Sequence, residues 1–378
     1  MIGYSVIGYG GIAKTHLMGL NNFRALELDL PLVEKIAMVG TRQTPDNEKQ
    51  ACDLEFSYFS ADRAKVLADE KVDVVDICAP NKFHAPFTIE ALEAGKNVYC
   101  EKPFAMNRSE IAAIGQALKT SSGIMQASYN KRFLPAFSIA RAAIRFGVLG
   151  KITSFRVEYY HSSYLNPEKA YAWRMSKEAS GGGALADLGS HATDLVRFVL
   201  GEVDSVLTDI RTVVKERKDS KGESFQVDVE DWVMSRLVMQ SGAVGSVEAS
   251  RVAVGNEGFR FEVYGEKGSF IIEPFIDPWK VNYTNALGQV AQILKESYEE
   301  DAFFQLVEGF YPKNKLFTHG WMLDSHTASL ASFIKRIETG VTLEGIPTFE
   351  EASRTDAVLE AGYESAESGN IIKVTYGF

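Results

Sequence analysis

The chain has 378 residues and a formal net charge of −10, with 46% hydrophobic and 24% charged residues. That balance belongs to a soluble globular protein of two domains and argues against a nucleic-acid phosphate partner. No apolar run approaches the roughly 18 residues a bilayer crossing needs.

The N-terminal MIGYSVIGYGG carries neither a basic segment nor a small-residue cleavage site, and it reads as mature sequence. Gly3 to Ile7 is a short apolar strand. Gly11 to Leu20 is a helix with Ile12, Ala13, Leu17 and Leu20 on one side. Lys35 to Thr41 is a second strand, and Ala61 to Glu70 is helical. Val72 to Pro80 (VDVVDICAP) is a valine-rich buried strand. A helix from Ala85 to Ala94 is stopped by Gly95. Lys96 to Cys100 is a strand again, and Ser109 to Lys119 a helix. Apolar strands spaced by amphipathic helices build a parallel sheet with helices on both faces. The three cysteines, Cys52, Cys78 and Cys100, share no close spacing. That fits a reducing cytoplasm and argues against both a disulfide framework and a cysteine-based zinc site.

The pattern changes after about residue 130. Ile152 to Tyr160 and Asp228 to Met239 alternate like half-exposed strands, Ala243 to Val252 follows a Gly242 turn, and Phe259 to Tyr264 and Ser269 to Glu273 flank the turn EKG. Strands that follow one another without helices make a mostly antiparallel sheet. Two late helices close the chain. Thr348 and Glu351 form a capping box for the second, and Gly369 ends it. Pro274 to Gly320 fits no clear pattern beyond a helix-like segment from Ala286 to Tyr298. The expected domains are residues 1–129, dinucleotide-type α/β, and 130–378, α+β.

The chemistry starts at Gly8-x-Gly10-x-x-Ala13, on a strand-to-helix turn. Gly8 allows the tight turn, and Gly10 lets the backbone approach a pyrophosphate. Ala13 keeps the helix close to the sheet. The helix that opens at Gly11 and Ile12 offers free N–H groups to the anion. The second strand ends in Val39-Gly40-Thr41-Arg42, with no acid to take a ribose 2′-hydroxyl. Thr41 and Arg42 therefore favour NADP(H), with NAD(H) possible if Arg42 only stacks on adenine. Lys102, in CEKPF, sits at the carboxyl edge of a strand, where ligands bind in such sheets. In GGGALADLGSHATD (181–194), Asp187 and His191 are four apart on one helical face, a spacing that suits a proton relay. The same pair could be an exposed hydrogen bond. No further His or Cys lies at ligand spacing, so no metal is expected.

These pieces together resemble the Gfo/Idh/MocA family (glucose–fructose oxidoreductase, inositol dehydrogenase). The marks are GYGGIA (8–13), APNKFH (79–84), EKP (101–103), YNKRF (129–133), WR (173–174), the 181–194 motif, VEDW (229–232), SGAVGSVEASR (241–251) and YGEKGSF (264–270). The resemblance implies an N-terminal Rossmann dinucleotide-binding domain and a C-terminal α+β domain with a large, mostly antiparallel open sheet. It implies hydride transfer between the nicotinamide and a secondary alcohol or ketone of a sugar, sugar derivative or cyclitol. Lys102 and His191 match the family's catalytic positions, and Asp187 matches the partner of His191. Ala79, Asn81, His84, Glu101 and Asn130 fall at or beside cofactor-contacting positions, and Trp173 and Arg174 match residues lining the cofactor and substrate pocket. For His84 and Arg132, fold support through capping or ion pairing is an equal reading, and His16 reads as packing. His161 and His319 could reach the pocket mouth. The family also implies self-association, as a homodimer or homotetramer through the C-terminal sheet. Three alternatives stay open: a non-catalytic redox sensor, an imine or double-bond reductase, and a glycosidase using nicotinamide transiently.

Overall fold

The computed structural model describes residues 1–166, 168–312 and 316–377. The chain opens with β1 (Ile2–Ile7), α1 (Gly11–Ala25), β2 (Val33–Val39), α2 (Pro45–Asp53), β3 (Tyr58–Ser60) and α3 (Arg63–Leu67). It continues with β4 (Val74–Ile77), α4 (His84–Glu93), β5 (Asn97–Cys100), α5 (Arg108–Thr120) and β6 (Met125–Ala127). Next come α6 (Pro135–Arg145), β7 (Ile152–Tyr160), α7 (Lys177–Ser180), α8 (Ser190–Leu200) and β8 (Val203–Arg211). Then follow β9 (Glu216–Lys218), β10 (Ser224–Gln226), β11 (Trp232–Met239), β12 (Val244–Ser250), β13 (Gly258–Gly265) and β14 (Gly268–Ile272). The last elements are β15 (Asn282–Asn285), β16 (Val290–Ala291), α9 (Ala302–Phe310), α10 (Trp321–Thr339), α11 (Phe349–Ser368) and β17 (Ile372–Lys373).

The described chain divides into two compact units. The first holds 1–130 and 309–352, and the second holds 131–308 and 353–377. The first unit is a six-stranded parallel sheet of order β3-β2-β1-β4-β5-β6. Strands β1 and β4 are buried on both faces, which is why they read as unbroken apolar runs. The order reverses between β1 and β4, and a crevice opens outside the carboxyl ends of the strands at such a reversal. Expecting everything after residue 129 in a second domain misplaces one stretch. Helix α10 packs along α1, and its Ser329 meets the Tyr99 hydroxyl at 2.7 Å and accepts from Gln126 through its carbonyl at 3.1 Å. A buried polar face of this kind cannot be read from apolar periodicity.

The second unit carries a nine-stranded sheet of order β16-β15-β14-β13-β7-β12-β11-β8-β17. Neighbours are antiparallel except β7 and β12, which run parallel. Its inner face buries Phe155, Val157, Val233, Val247, Phe261 and Phe270. Phe137 of α6 packs edge-on against Phe259 and Phe261 at 5.9 and 5.4 Å.

The helix expected from Ala286 to Tyr298 is instead the end of a hairpin. Asn285 accepts the Leu287 and Gln289 amides on its side-chain oxygen at 3.0 and 3.1 Å, and Gly288 takes φ of +73°. That turn chemistry defeats the helical pattern. Residues 313–315 of the stretch left unplaced by sequence lie outside the described residues.

Candidate active site

In the first unit, the candidate residues gather at the switch of strand order. Gly8 takes φ of +89°, and a Cβ there would stand 2.9 Å from the Cys78 carbonyl oxygen, so the turn admits only glycine. Gly10 caps α1 with extended backbone, no side chain caps the helix, and no acid lies in its first turn. A Cβ on Gly10 or Gly11 would meet nothing within 4 Å. Open space above uncapped N–H groups at the positive end of a helix fits the pyrophosphate of a dinucleotide. Ala13 is fully buried against the sheet, as its place in the motif requires.

Thr41 and Arg42 follow β2, exposed, and Arg42 has no carboxylate partner among the described residues. Its carbonyl accepts from Asn47 at 2.7 Å, which fixes the loop. After β4, Asn81 opens a short 3₁₀ turn. His84 is buried, with ring nitrogens 2.7 Å from the Pro103 carbonyl and 2.8 Å from that of Ala79. Burial pushes its pKa down, so the neutral ring donates to one carbonyl at a time. His84 thereby links the loop after β4 to the one after β5. After β5 come Glu101, buried, and Lys102, half-buried, with a cis peptide between Lys102 and Pro103. Glu101 accepts the Lys102 amide at 3.2 Å and meets His16 at 3.2 Å. Asn130 is buried and donates to Ser325 at 2.7 Å. His319 is exposed, its amide bound to Asp324 at 3.1 Å.

In the second unit, the candidate residues gather around the glycine run. A Cβ on Gly183 would fall 1.9 Å from the Glu230 carbonyl oxygen, so the chain can pass there only as glycine. Glu230 accepts the Gly183 and Leu185 amides at 3.0 and 2.8 Å, and the Tyr363 hydroxyl donates to it at 3.0 Å. This carboxylate caps the segment from β11's approach rather than from the helix's own sequence. Leu185 to Gly189 form a π-turn that leads into α8. Such turns shift every later side chain relative to an α-helix, so the four-residue spacing of Asp187 and His191 does not by itself stack them.

Asp187 accepts from Arg251 at 3.0 Å, a cation the local spacing could not reveal. Arg251 is buried, also reaches the Arg174 carbonyl at 3.4 Å and stands 4.7 Å over the Tyr164 ring. His191 is nearly buried, with its ring 6.4 Å from that of Tyr159. Burial and the Asp187 charge both push the Tyr159 hydroxyl's pKa up, while burial outweighs Asp187 and pulls that of His161 down. Asp187 thus sets the field around Tyr159 and His161 as well as meeting Arg251. Arg174 stands 4.3 Å over the Trp173 ring in a 3₁₀ turn. Arg132 is spent on Asp194 in a sealed ion pair, which gives it a supporting role.

Residues 2–129 match the model of an oxidoreductase family with an NAD-binding Rossmann fold, and residues 137–271 match the GFO/IDH/MocA C-terminal domain. Levoglucosan dehydrogenase of Pseudarthrobacter phenanthrenivorans is 31% identical over 280 residues, 70% of this chain and 72% of that protein. The chain belongs to the Gfo/Idh/MocA family. Glucose-6-phosphate 3-dehydrogenase of Bacillus subtilis is 26% identical across 98% of both chains. Among solved structures, levoglucosan dehydrogenase in complex with NADH matches with a TM-score of 0.88 at 28% identity, covering 100% of each chain. The family's Rossmann sheet and large mixed, mostly antiparallel sheet are both present here. Among the described residues no helix is long and apolar enough to cross a membrane.

Proposed function

We propose that this protein is an NAD(P)-dependent dehydrogenase or reductase acting on a secondary alcohol or ketone of a sugar, sugar derivative or cyclitol. The observation that carries the reading is Lys102 at the carboxyl end of β5, in the sheet whose β1–β4 switch holds the uncapped Gly10 helix terminus. The nicotinamide, when bound, accepts or returns the hydride. His191 takes the proton of the substrate hydroxyl, and Lys102 stabilises charge developing on the same oxygen. Asp187, held by Arg251, is the carboxylate assigned as the partner in that proton transfer. Trp173 and Arg174 line the pocket. Gly8, Gly10, Gly11, Ile12, Ala79 and Asn81 hold the cofactor from the sheet edge, and His84, Glu101 and Asn130 keep that edge in place. Residues 1–129 serve as the dinucleotide domain and 130–378 as the substrate and oligomerisation domain, with the 309–352 segment returned to the first compact unit.

Thr41 and Arg42 make room for a 2′-phosphate, which makes NADP(H) the tighter cofactor while NAD(H) still binds. Self-association as a homodimer or homotetramer through the second sheet is supported by its exposed Leu207 and Met234. Three free cysteines suit the cytoplasm.

The test is a panel of sugars and cyclitols with NAD⁺ and NADP⁺, read as the absorbance of reduced nicotinamide. Growth of that absorbance with a polyol supports the reading, and cofactor binding without turnover on any member would replace it with a sensor. Fluorescence titration with NADH and NADPH checks Arg42, and tighter NADH would reverse that assignment. Lys102→Met should keep cofactor affinity while turnover falls about 10³-fold.

A further inference from the structure

His16 is fully buried on α1, and both its ring nitrogens face carboxylates. Nδ1 lies 2.8 Å from Asp76 in β4, and Nε2 lies 3.2 Å from Glu101 just after β5. A neutral imidazole has one N–H and would turn a lone pair toward one of these anions, whereas the imidazolium donates to both. Other groups close the site on every side. The Tyr4 hydroxyl of β1 donates to Asp76, and the Cys78 sulfur stands 3.4 Å from His16 Nδ1. The Tyr99 ring lies 5.4 Å from the His16 ring, and that of His326 on α10 lies 5.0 Å away. Burial alone would drive both groups toward their neutral forms. The His16 pKa nonetheless stands well above the usual imidazole value because of Asp76, and that of Glu101 well below the carboxylate range because of His16.

Glu101 has two jobs. One oxygen receives His16, and the other receives the backbone N–H of Lys102 at 3.2 Å. A carboxylate pinned by a buried cation is a fixed anchor for the residue it holds, and a misplacement near 1 Å at a reacting group costs about 100-fold in rate. We propose that His16 is a positioning residue for Lys102: as an imidazolium clamped between Asp76 and Glu101, it fixes the carboxylate that receives the Lys102 amide and so sets where the ammonium stands. This rests on the reading of Lys102 as the group that meets the substrate oxygen.

Two measurements on the full chain loaded with NADH test it. Nitrogen NMR of the six histidines, with His16 assigned through the Tyr99 ring, should show both His16 nitrogens still protonated at a pH where an ordinary imidazole has lost its proton. A ring with one proton at that pH overturns the proposal. So does one equivalent of a transition-metal ion released on acid denaturation, since a cation would then occupy the cluster. The second measurement compares His16→Gln, Glu101→Gln and the double variant. Each single change should lower kcat about 100-fold with cofactor affinity unmoved. The double variant should fall no further than the deeper single one, because both act through one carboxylate. Multiplying losses overturn the positioning role, and the NMR result on the unaltered protein decides the protonation if a variant fails to fold. Lys102→Met separates this from the parent reading. Intact turnover there refutes the role of Lys102 and the positioning with it, whereas lost turnover with multiplying His16 and Glu101 effects refutes the positioning alone.

Discussion

Asp187 and Asp194 flank the start of α8, and each meets a buried arginine, yet the two pairs are built for different ends. Arg132 grips Asp194 with two bonds of 2.8 and 2.7 Å, Thr355 adds a third at 3.0 Å, and the two side chains are 0% and 1% exposed. Arg251 meets Asp187 at 3.0 Å, and there the carboxylate side is 28% exposed. A sealed pair has exchanged all its water for protein donors and serves only to hold elements together. An open pair keeps a face toward solvent, and hence toward a ligand. Exposure of the acid, rather than the presence of a pair, is what separates Asp187, the proposed partner in proton transfer, from Asp194.

The sharpest way to break this comparison is to neutralise each acid in turn. Asp187→Asn should lower turnover about 10³-fold, the scale of a lost acid–base partner, with a smaller stability loss than at the sealed pair, because the Asp187 carboxylate is 28% exposed although Arg251 is buried. Asp194→Asn should leave turnover per folded molecule near normal and destabilise the protein by about 3–5 kcal/mol in urea, because the buried Arg132 then loses the carboxylate that holds it with two bonds. Equal effects of the two changes on turnover, or a larger stability loss at Asp187, would sink the distinction.

Much of this was legible in the sequence where the signal is local. The parallel sheet shows as valine-rich runs because β4 is buried on both faces. Gly8 and Gly183 show as glycines because a Cβ would strike carbonyl oxygens 2.9 and 1.9 Å away. What stayed hidden depends on contacts between distant residues. Arg251 lies 64 positions from Asp187, and Glu230 lies 47 from the Gly183 amide it caps. The π-turn before α8 leaves no mark in spacing, since its composition is that of a helix. His16 looked like packing because nothing near it in sequence announces Asp76 or Glu101. The return of α10 to the first unit follows from serines and a glutamine, which periodicity scores as polar surface.

A third pair at the far end of α8 gives the smallest effect and the finest check on the scale. Arg197 holds Glu202 with bonds of 2.9 and 2.8 Å, Arg354 adds one of 3.0 Å, and the acid is 23% exposed, between the other two. Burial would raise the Glu202 pKa, but the bond and charge of Arg197 win and lower it from 4.5 to about 2. A carboxylate with a depressed folded pKa stabilises the native state fully above its ordinary value, and that contribution drains away as the pH falls from about 4.5 toward about 2. Glu202→Gln removes the titration. The melting temperature of the unaltered protein should therefore exceed that of the variant near neutral pH, and the gap should narrow steadily below the ordinary carboxylate range as acid protonates Glu202. Because the site is partly solvated and salt screens it, added salt should shrink the gap at neutral pH too. A gap that stays constant from neutral to strongly acidic solution would mean that packing, and not the ion pair, is what Glu202 contributes.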